Sequence, residues 1–266
     1  MGNKIIHSLA DLNVLVCGST NGIGLATAKE FAELGANVTL FARNVQKLKD
    51  TLSVLNQSKK SNHDFLNGDF NNPSEVRKKI ENHVKSGKQY HVLINNSGGP
   101  KGGAIINASS KEFIEAFNRH LICNQIITQS IFPGMKRYKY GRIINIISTS
   151  VKEPIQELGV SNTIRGAVSA WAKTLSKEVA EYGITVNSVL PGFTETERLS
   201  KLIKAKSIVQ KKAESAIITE MKKQIPLGRF ASPTEIAKTI IFLASPASSY
   251  INGISLAVDG GRLNSI

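Results

Sequence analysis

Directly after an apolar run ending in Cys17, the chain places Gly18-Ser19-Thr20-Asn21-Gly22-Ile23-Gly24. Glycines at these spacings permit a tight turn and let backbone N–H groups come close to a ligand. A turn of this kind, set between a strand and a helix, offers free amides and the positive end of the helix to a diphosphate. The chemistry implied is dinucleotide binding, and the strand-turn-helix setting makes the glycine pattern more specific than it is alone. The end of the next apolar run decides which dinucleotide. A carboxylate there would accept from the ribose 2′-hydroxyl of NAD, whereas an arginine suits the 2′-phosphate of NADP. Phe41-Ala42-Arg43-Asn44 has an arginine and no acid. NADP is therefore expected ahead of NAD, the alternative being that Arg43 is a plain surface arginine.

These residues need a rigid frame. Apolar, β-branched runs at 13–18, 37–43, 91–98, 142–148, 184–192 and 254–261 end in turn residues and read as strands. Between them lie stretches of helical period, such as 24–35 and 166–183. In the second, Val168, Trp171, Ala172, Leu175 and Val179 mark a buried face. Strands alternating with helices imply right-handed βαβ units, and strands without polar alternation imply helices on both faces. The expected fold is α/β: a Rossmann-type, doubly wound parallel sheet in three layers, formed by one domain over residues 1–266. Residues 197–225 break the alternation as one or two Lys-rich amphipathic helices. An insertion after a strand's carboxyl end lies over the crevice where such sheets bind ligands, so it reads as a substrate lid.

Composition bounds the function class. With 41% hydrophobic and 20% charged residues the chain is globular rather than disordered. No apolar stretch approaches the roughly 20 residues of a membrane span. The start, residues 1–18, lacks a signal-peptide layout, and Ile6 stands where a myristoylation signal wants Ser or Thr. Cys17 and Cys123 are expected as buried free thiols, in keeping with a cytoplasmic protein, and no metal site is expected. The net charge of +14 would attract polyanions or small phosphorylated ligands. The basic residues are spread over helical stretches, however, with no basic arm or aromatic-interleaved run, so nucleic acid is not the expected partner.

Further motifs now converge. Gly18-x-x-x-Gly22-x-Gly24, Asn95-Asn96-Ser97-Gly98, Pro191-Gly192 with Thr194 and Thr196, Pro226-Leu227-Gly228-Arg229 and Val258-Asp259-Gly260-Gly261 stand in order along the chain. Together they resemble the short-chain dehydrogenase/reductase family, and more narrowly its 3-oxoacyl thioester reductases. The resemblance implies NAD(P)-dependent hydride transfer between the nicotinamide and a carbonyl or alcohol carbon. It implies that Asp69, with Phe70, meets the adenine. Asn95, Ser97 and Gly98 would line the cofactor, and Pro191, Gly192, Thr194 and Thr196 would cradle its nicotinamide end. A homotetramer or dimer is also implied, with helices around 111–137 and 161–182 at one interface and the C-terminal strand region at another.

The catalytic positions depart from the family. Ser148 fits the family's substrate-polarising Ser. Arg165-Gly166-Ala167 aligns with its Lys-x-Ala, which puts Arg165 at the Lys, Ser161 at the catalytic Tyr and His120 at the Asn. A serine hydroxyl is a far poorer acid than a phenol of pKa about 10. Arginine stays protonated but still supplies charge and donors to the ribose hydroxyls. His120 titrates near neutral pH and could relay a proton, the alternative being a helix histidine packed beside the site. Lys152, Glu153 and Glu157 are other conceivable donors. Two functions follow: a reductase with a remodelled centre, or a non-catalytic dinucleotide-binding sensor or structural subunit. The substrate expected is a small carbonyl or alcohol. Lys201, Lys204, Lys206, Lys211, Lys212, Lys222 and Lys223 in the lid would favour an anionic one such as a 3-oxoacyl thioester.

Overall fold

The computed structural model describes residues 9–55 and 61–265. Residues 1–8, which bear on a leader or lipid anchor, lie outside them. Seven parallel strands form one sheet: β1 (Asn13–Cys17), β2 (Asn37–Ala42), β3 (Asp64–Asn67), β4 (Val92–Asn95), β5 (Gly141–Ile146), β6 (Ile184–Pro191) and β7 (Ser255–Val258). Their order is β3-β2-β1-β4-β5-β6-β7. The order reverses direction between β1 and β4, and at such a switch point the carboxyl ends of the strands open a crevice.

Side chains alternate across the sheet because the strand period is two. Val14, Val16, Val92, Ile94 and Ile144 enter one core, covered by α1 (Gly22–Glu33), α2 (Val45–Leu55) and a later helix. Leu15, Cys17, Leu93, Ile143 and Val186 enter the other. That face is closed by α3 (Pro73–Lys85), a helical segment over 110–138 and α6 (Gly159–Glu178). The sheet is thus the middle of three layers, as expected.

The segment expected as one helix around 111–137 is instead three pieces. These are α4 (Ser110–Phe117), a π-helical turn (Asn118–Ile122) and α5 (Cys123–Tyr138). A capping box, Ser109 with Glu112, starts α4. The π turn adds a residue to the local repeat and rotates the side chains that follow. It brings His120 inside, at 3% exposure. The second predicted helix starts earlier than its periodic stretch, at Gly159. Its expected face is buried at Val168, Ala172 and Val179 and partly buried at Trp171 and Leu175.

Residues 197–225 form α7 (Glu197–Gln210) and α8 (Glu214–Lys223). Leu199, Ile203, Ile217, Met221 and Phe230 give them a small core of their own. The last helix, α9 (Pro233–Ala244), packs on α1. Among the described residues no helix is long and apolar enough to cross a membrane. No group of three or more His, Cys, Asp or Glu among them could hold a metal. Both cysteines are free and buried, and burial raises both thiols, Cys123 to about 12.

Candidate active site

The glycine turn joins β1 to α1 at the switch point. Gly18 and Gly22 have φ of +59° and +52°, which side chains disfavour. A Cβ on Gly18 would also lie 2.8 Å from the Asn96 amide nitrogen and 2.9 Å from the Asn96 carbonyl oxygen. Asn96 Nδ2 donates to the carbonyls of Cys17 (3.3 Å) and Gly18 (3.2 Å), so the end of β4 clamps the turn. Asn21 caps α1 without bonding it through its side chain, which leaves the first amides of the helix free. Its Nδ2 donates instead to Glu197 Oε2 of α7 at 3.1 Å. Ser19 is fully buried, and its Oγ has no partner among the described residues. Thr20 and Ile23 complete the turn, Ile23 lying against the first core.

Arg43 follows β2 and is exposed. Its carbonyl accepts from Asn67 Nδ2 at 2.8 Å, and its guanidinium has no partner among the described residues. Asp69 Oδ1 accepts from the Asn71 amide at 2.9 Å. The Phe70 ring packs edge-on against Phe41 at 5.1 Å in the core and its carbonyl accepts from Cys123 Sγ at 3.3 Å, so its backbone amide is what remains for a ligand.

The carboxyl ends of β4 and β5 bring most of the remaining polar residues together. Asn95 Nδ2 donates to Asn145 Oδ1 at 2.9 Å, joining the two strands. Ser97 Oγ is 2.8 Å from His120 Nδ1. His120 Nε2 is buried without a partner. Burial, then the charges of Arg165, Arg119 and Arg198, hold the imidazole well below its ordinary pKa, so it is neutral at pH 7. Ser148 follows β5, and its Oγ accepts from the Ser150 amide at 3.1 Å. Ser161 lies one helical turn before Arg165 on α6; both are buried, at 6% and 9% exposure. Arg165 donates to the Ile146 carbonyl at 2.6 Å, and its Nε has no partner. Burial, then Arg198, push Arg165 down to about 10, so it remains a cation at neutral pH. The ion pairs among the described residues all lie elsewhere.

On the β6 side, the Gly192 amide donates to the Val258 carbonyl at 2.9 Å. Thr194 Oγ1 donates to the Gly192 carbonyl (3.1 Å) and Thr196 Oγ1 to the Thr194 carbonyl (3.2 Å), while Thr196 caps α7. Pro191 ends β6 just before this turn.

Among the described residues no tyrosine stands at the carboxyl end of the sheet. Tyr90, Tyr138, Tyr140, Tyr182 and Tyr250 each precede a strand, so all five stand at the amino end of the parallel sheet. Ser148 and Ser161 belong to the opposite end. Sequence reasoning passed over Asn96, Arg119 and Arg198. Asn96 sits inside a motif that drew notice for its neighbours, Arg119 stands directly before His120, and Arg198 looked like one more cation on an amphipathic helix.

The profile described as Enoyl-(Acyl carrier protein) reductase matches residues 18–262. The 3-oxoacyl-(acyl-carrier-protein) reductase FabG of Rickettsia bellii is 32% identical over 257 residues, 96% of this chain and 98% of its own length. FabG of Chlamydia trachomatis is 30% identical over 255 residues, 95% of this chain and 98% of its own. Among solved structures, L-sorbose reductase from Gluconobacter frateurii, complexed with NADPH and L-sorbose, has a TM-score of 0.92 at 27% identity, covering 98% of this chain and 99% of that one. YwfH, an NADPH-dependent reductase of bacilysin biosynthesis, has a TM-score of 0.91 at 26% identity, covering 97% and 100%. The sheet order, the glycine turn at its switch point and these matches over nearly the whole chain agree: the chain belongs to the short-chain dehydrogenase/reductase family of NAD(P)-dependent oxidoreductases.

Proposed function

We propose that this oxidoreductase uses NADP(H) to reduce the carbonyl group of a small molecule, through a centre in which Ser148, Ser161, Arg165 and His120 take the catalytic roles. The observation that carries the reading is Arg165, a buried guanidinium with no carboxylate beside it, held by the Ile146 carbonyl two residues before Ser148 and one helical turn after Ser161. A buried cation without a counter-ion is costly unless a ligand supplies negative charge.

The cofactor fits the residues present. The unpartnered Ser19 hydroxyl, the free amides of α1 and the absence of room for side chains at Gly18 and Gly24 suit a diphosphate. The exposed Arg43 suits the 2′-phosphate. Asp69 and the Phe70 backbone would flank the adenine. Asn95, Ser97 and Gly98 would line the cofactor at the end of β4. Pro191, Gly192, Thr194 and Thr196 would hold its nicotinamide end. When bound, the nicotinamide supplies a hydride to the carbonyl carbon.

Ser148 and Ser161 donate hydrogen bonds to the substrate oxygen. Arg165 donates to the ribose hydroxyls and stabilises the negative charge that grows on that oxygen. His120 has one ring nitrogen engaged by Ser97 and the other free. A neutral imidazole of this kind takes a proton at one nitrogen and releases one from the other, so it never has to persist as the imidazolium that its surroundings disfavour. The α7–α8 insertion covers the crevice as a lid. The relatives named for 3-oxoacyl groups and for sorbose support a small carbonyl compound as the substrate class, a 3-oxoacyl thioester being one member of it. The protein is cytoplasmic and assembles as a homo-oligomer. Exposed Ile114 (60%) and Phe117 (40%) on α4 give one contact face.

The test is NADPH oxidation and NADPH affinity for the parent and for Arg165→Met and His120→Ala. Loss of the general acid–base group costs on the order of 10²–10⁴ in rate, and that range is expected for His120→Ala with NADPH affinity kept. Unchanged turnover would remove His120 from the mechanism. An Arg165→Met protein that binds NADPH and turns over like the parent would sink the centre as described.

A further inference from the structure

The site carries more positive charge than the reading above uses. Arg198, in the first turn of α7, lies with its guanidinium against Gly99. A Cβ built on Gly99 would be 2.6 Å from Arg198 Cζ and 2.7 Å from both terminal nitrogens. Arg198 donates to the Pro100 carbonyl at 3.3 Å. Arg119, on the π turn, donates to the Gly98 carbonyl at 3.2 Å and to Asn71 Oδ1. Two guanidiniums from different elements therefore converge on the three residues Gly98–Pro100 that follow β4. Their partners are neutral oxygens, and neither has a carboxylate within ion-pair reach among the described residues.

Arg165, buried on α6, adds a third cation. The charges feel one another: Arg198 lowers Arg165, Arg119 lowers Arg198, and all three act on His120. Like charges gathered in a partly desolvated crevice repel, and an anion placed among them relieves the repulsion. Arginine's flat fork matches a carboxylate or phosphate with two parallel hydrogen bonds.

We propose that Arg198, with Arg119 beside it, forms a recognition site for an oxyanion on the substrate, a carboxylate or phosphate group close to the carbonyl carbon that is reduced. The inference rests on the oxidoreductase reading of the same site and narrows its substrate class. Position separates this anion from the cofactor's diphosphate. The diphosphate has its own amides at the turn after β1, whereas the guanidiniums gather after β4, between that turn and the Ser148 end of β5. The first turn of α7 bridges the two places, with Glu197 on Asn21 of the glycine turn and Arg198 on Pro100. The lid lysines are weaker candidates: Lys201 and Lys212 are exposed and already paired with Glu197 (2.5 Å) and Glu220 (2.6 Å).

The experiment compares pyruvate with methyl pyruvate, and dihydroxyacetone phosphate with dihydroxyacetone, as substrates. It also measures NADPH affinity, and the binding of oxalate to the protein–NADPH complex by nicotinamide fluorescence. The proteins are the parent, Arg198→Gln, Arg198→Lys, Arg119→Gln and, as a surface control on α9, Lys238→Gln. In at least one pair the charged compound is expected to be preferred. In Arg198→Gln that preference falls by about 10- to 100-fold, mainly through KM, with NADPH affinity kept within about twofold. Arg198→Lys recovers part of it, Arg119→Gln loses it in part, and Lys238→Gln does not change it. Equal use of charged and neutral partners overturns the proposal. So does an Arg198→Gln protein that loses NADPH affinity and oxalate affinity alike, which would assign the guanidinium to the cofactor's diphosphate. If no carbonyl compound turns over, oxalate decides. Arg198-dependent oxalate binding upholds the anion site and counts against the oxidoreductase reading alone, and absence of oxalate binding overturns the anion site.

Discussion

Replacing Gly24 by Ala probes the close approach on which the proposed dinucleotide site depends. Gly24 is in the first turn of α1, where an alanine is conformationally welcome and gains about 1 kcal/mol of helix propensity. Its Cβ, however, would press on the Gly18 carbonyl, standing 2.9 Å from that carbonyl carbon and 2.7 Å from Asn96 Nδ2. Restoring ordinary contact moves the Gly18 peptide by roughly 1 Å. Gly18 is held on both sides, the N–H of the peptide before it donating to the Phe41 carbonyl at 2.8 Å and the oxygen of the peptide after it accepting from Asn96 at 3.2 Å. Losing both bonds costs about 2 kcal/mol, and the overpacking adds about 1–3 kcal/mol. The net after the propensity gain is about 2–4 kcal/mol, a fall in urea midpoint of roughly 1 M. Because the moved amides are those offered to the diphosphate, NADPH affinity should fall by about 100-fold. Urea unfolding with and without NADPH, and fluorescence titration of NADPH, read both quantities. Gly166→Ala on α6 is the control. Nothing lies within 4 Å of its added Cβ, and it should gain about 0.5–1 kcal/mol. A Gly24→Ala protein that binds NADPH within about twofold of the parent would refute the close-approach reasoning.

Two further outcomes are expected. Arg43→Ala should lower NADPH affinity by about 10- to 100-fold and leave NADH affinity unchanged, since only the 2′-phosphate is lost as a partner; unchanged affinity for both would return Arg43 to an ordinary surface position, and equal losses would place it on a part the two cofactors share. Stability should also fall below neutral pH. Burial lowers His63, His83, His91 and His120, and the Nδ1 atoms of His63 and His91 accept from the amides of Val38 and Asn13 at the start of β2 and β1. A base whose folded pKa lies below its unfolded value stabilises the fold fully above the unfolded value of about 6.5, and that contribution is lost as pH falls from there through the folded pKa. Urea midpoints should drop between pH 7.5 and about pH 5.5, and His63→Gln should flatten the drop; a constant midpoint contradicts the assignment.

Much of the fold is legible because buried parallel strands read as apolar, β-branched runs, and six of the seven strands stand out for that reason. β3 does not: it is an edge strand of four residues, Asp64-Phe65-Leu66-Asn67, mostly half-buried. The π turn before α5 leaves no periodic signal either. One added residue shifts the helical phase by about 100°, which in sequence looks like an ordinary helix with a misplaced histidine. At the site, the glycine turn is readable because local geometry dictates its residue types, Gly18 and Gly22 standing at positive φ. Arg198 and Arg119 are not, since a lone arginine on a helix looks solvated until the tertiary fold lays α7 across the end of β4. The neutrality of His120 is likewise a property of its surroundings: an isolated histidine titrates near 6.5, and burial beside three guanidiniums is what lowers it.

The central claim is hydride transfer at a centre without a tyrosine, and isotope transfer tests it most directly. The purified protein is given NADPH deuterated at the transferring position of the nicotinamide, together with a panel of charged and neutral carbonyl compounds, and the products are analysed by mass spectrometry. The account predicts a carbinol carrying deuterium at the new C–H, formed by the parent protein and suppressed in Arg165→Met. Tight NADPH binding with no deuterated product from any carbonyl would contradict it, and would leave a dinucleotide-binding protein whose site no longer does the family's chemistry.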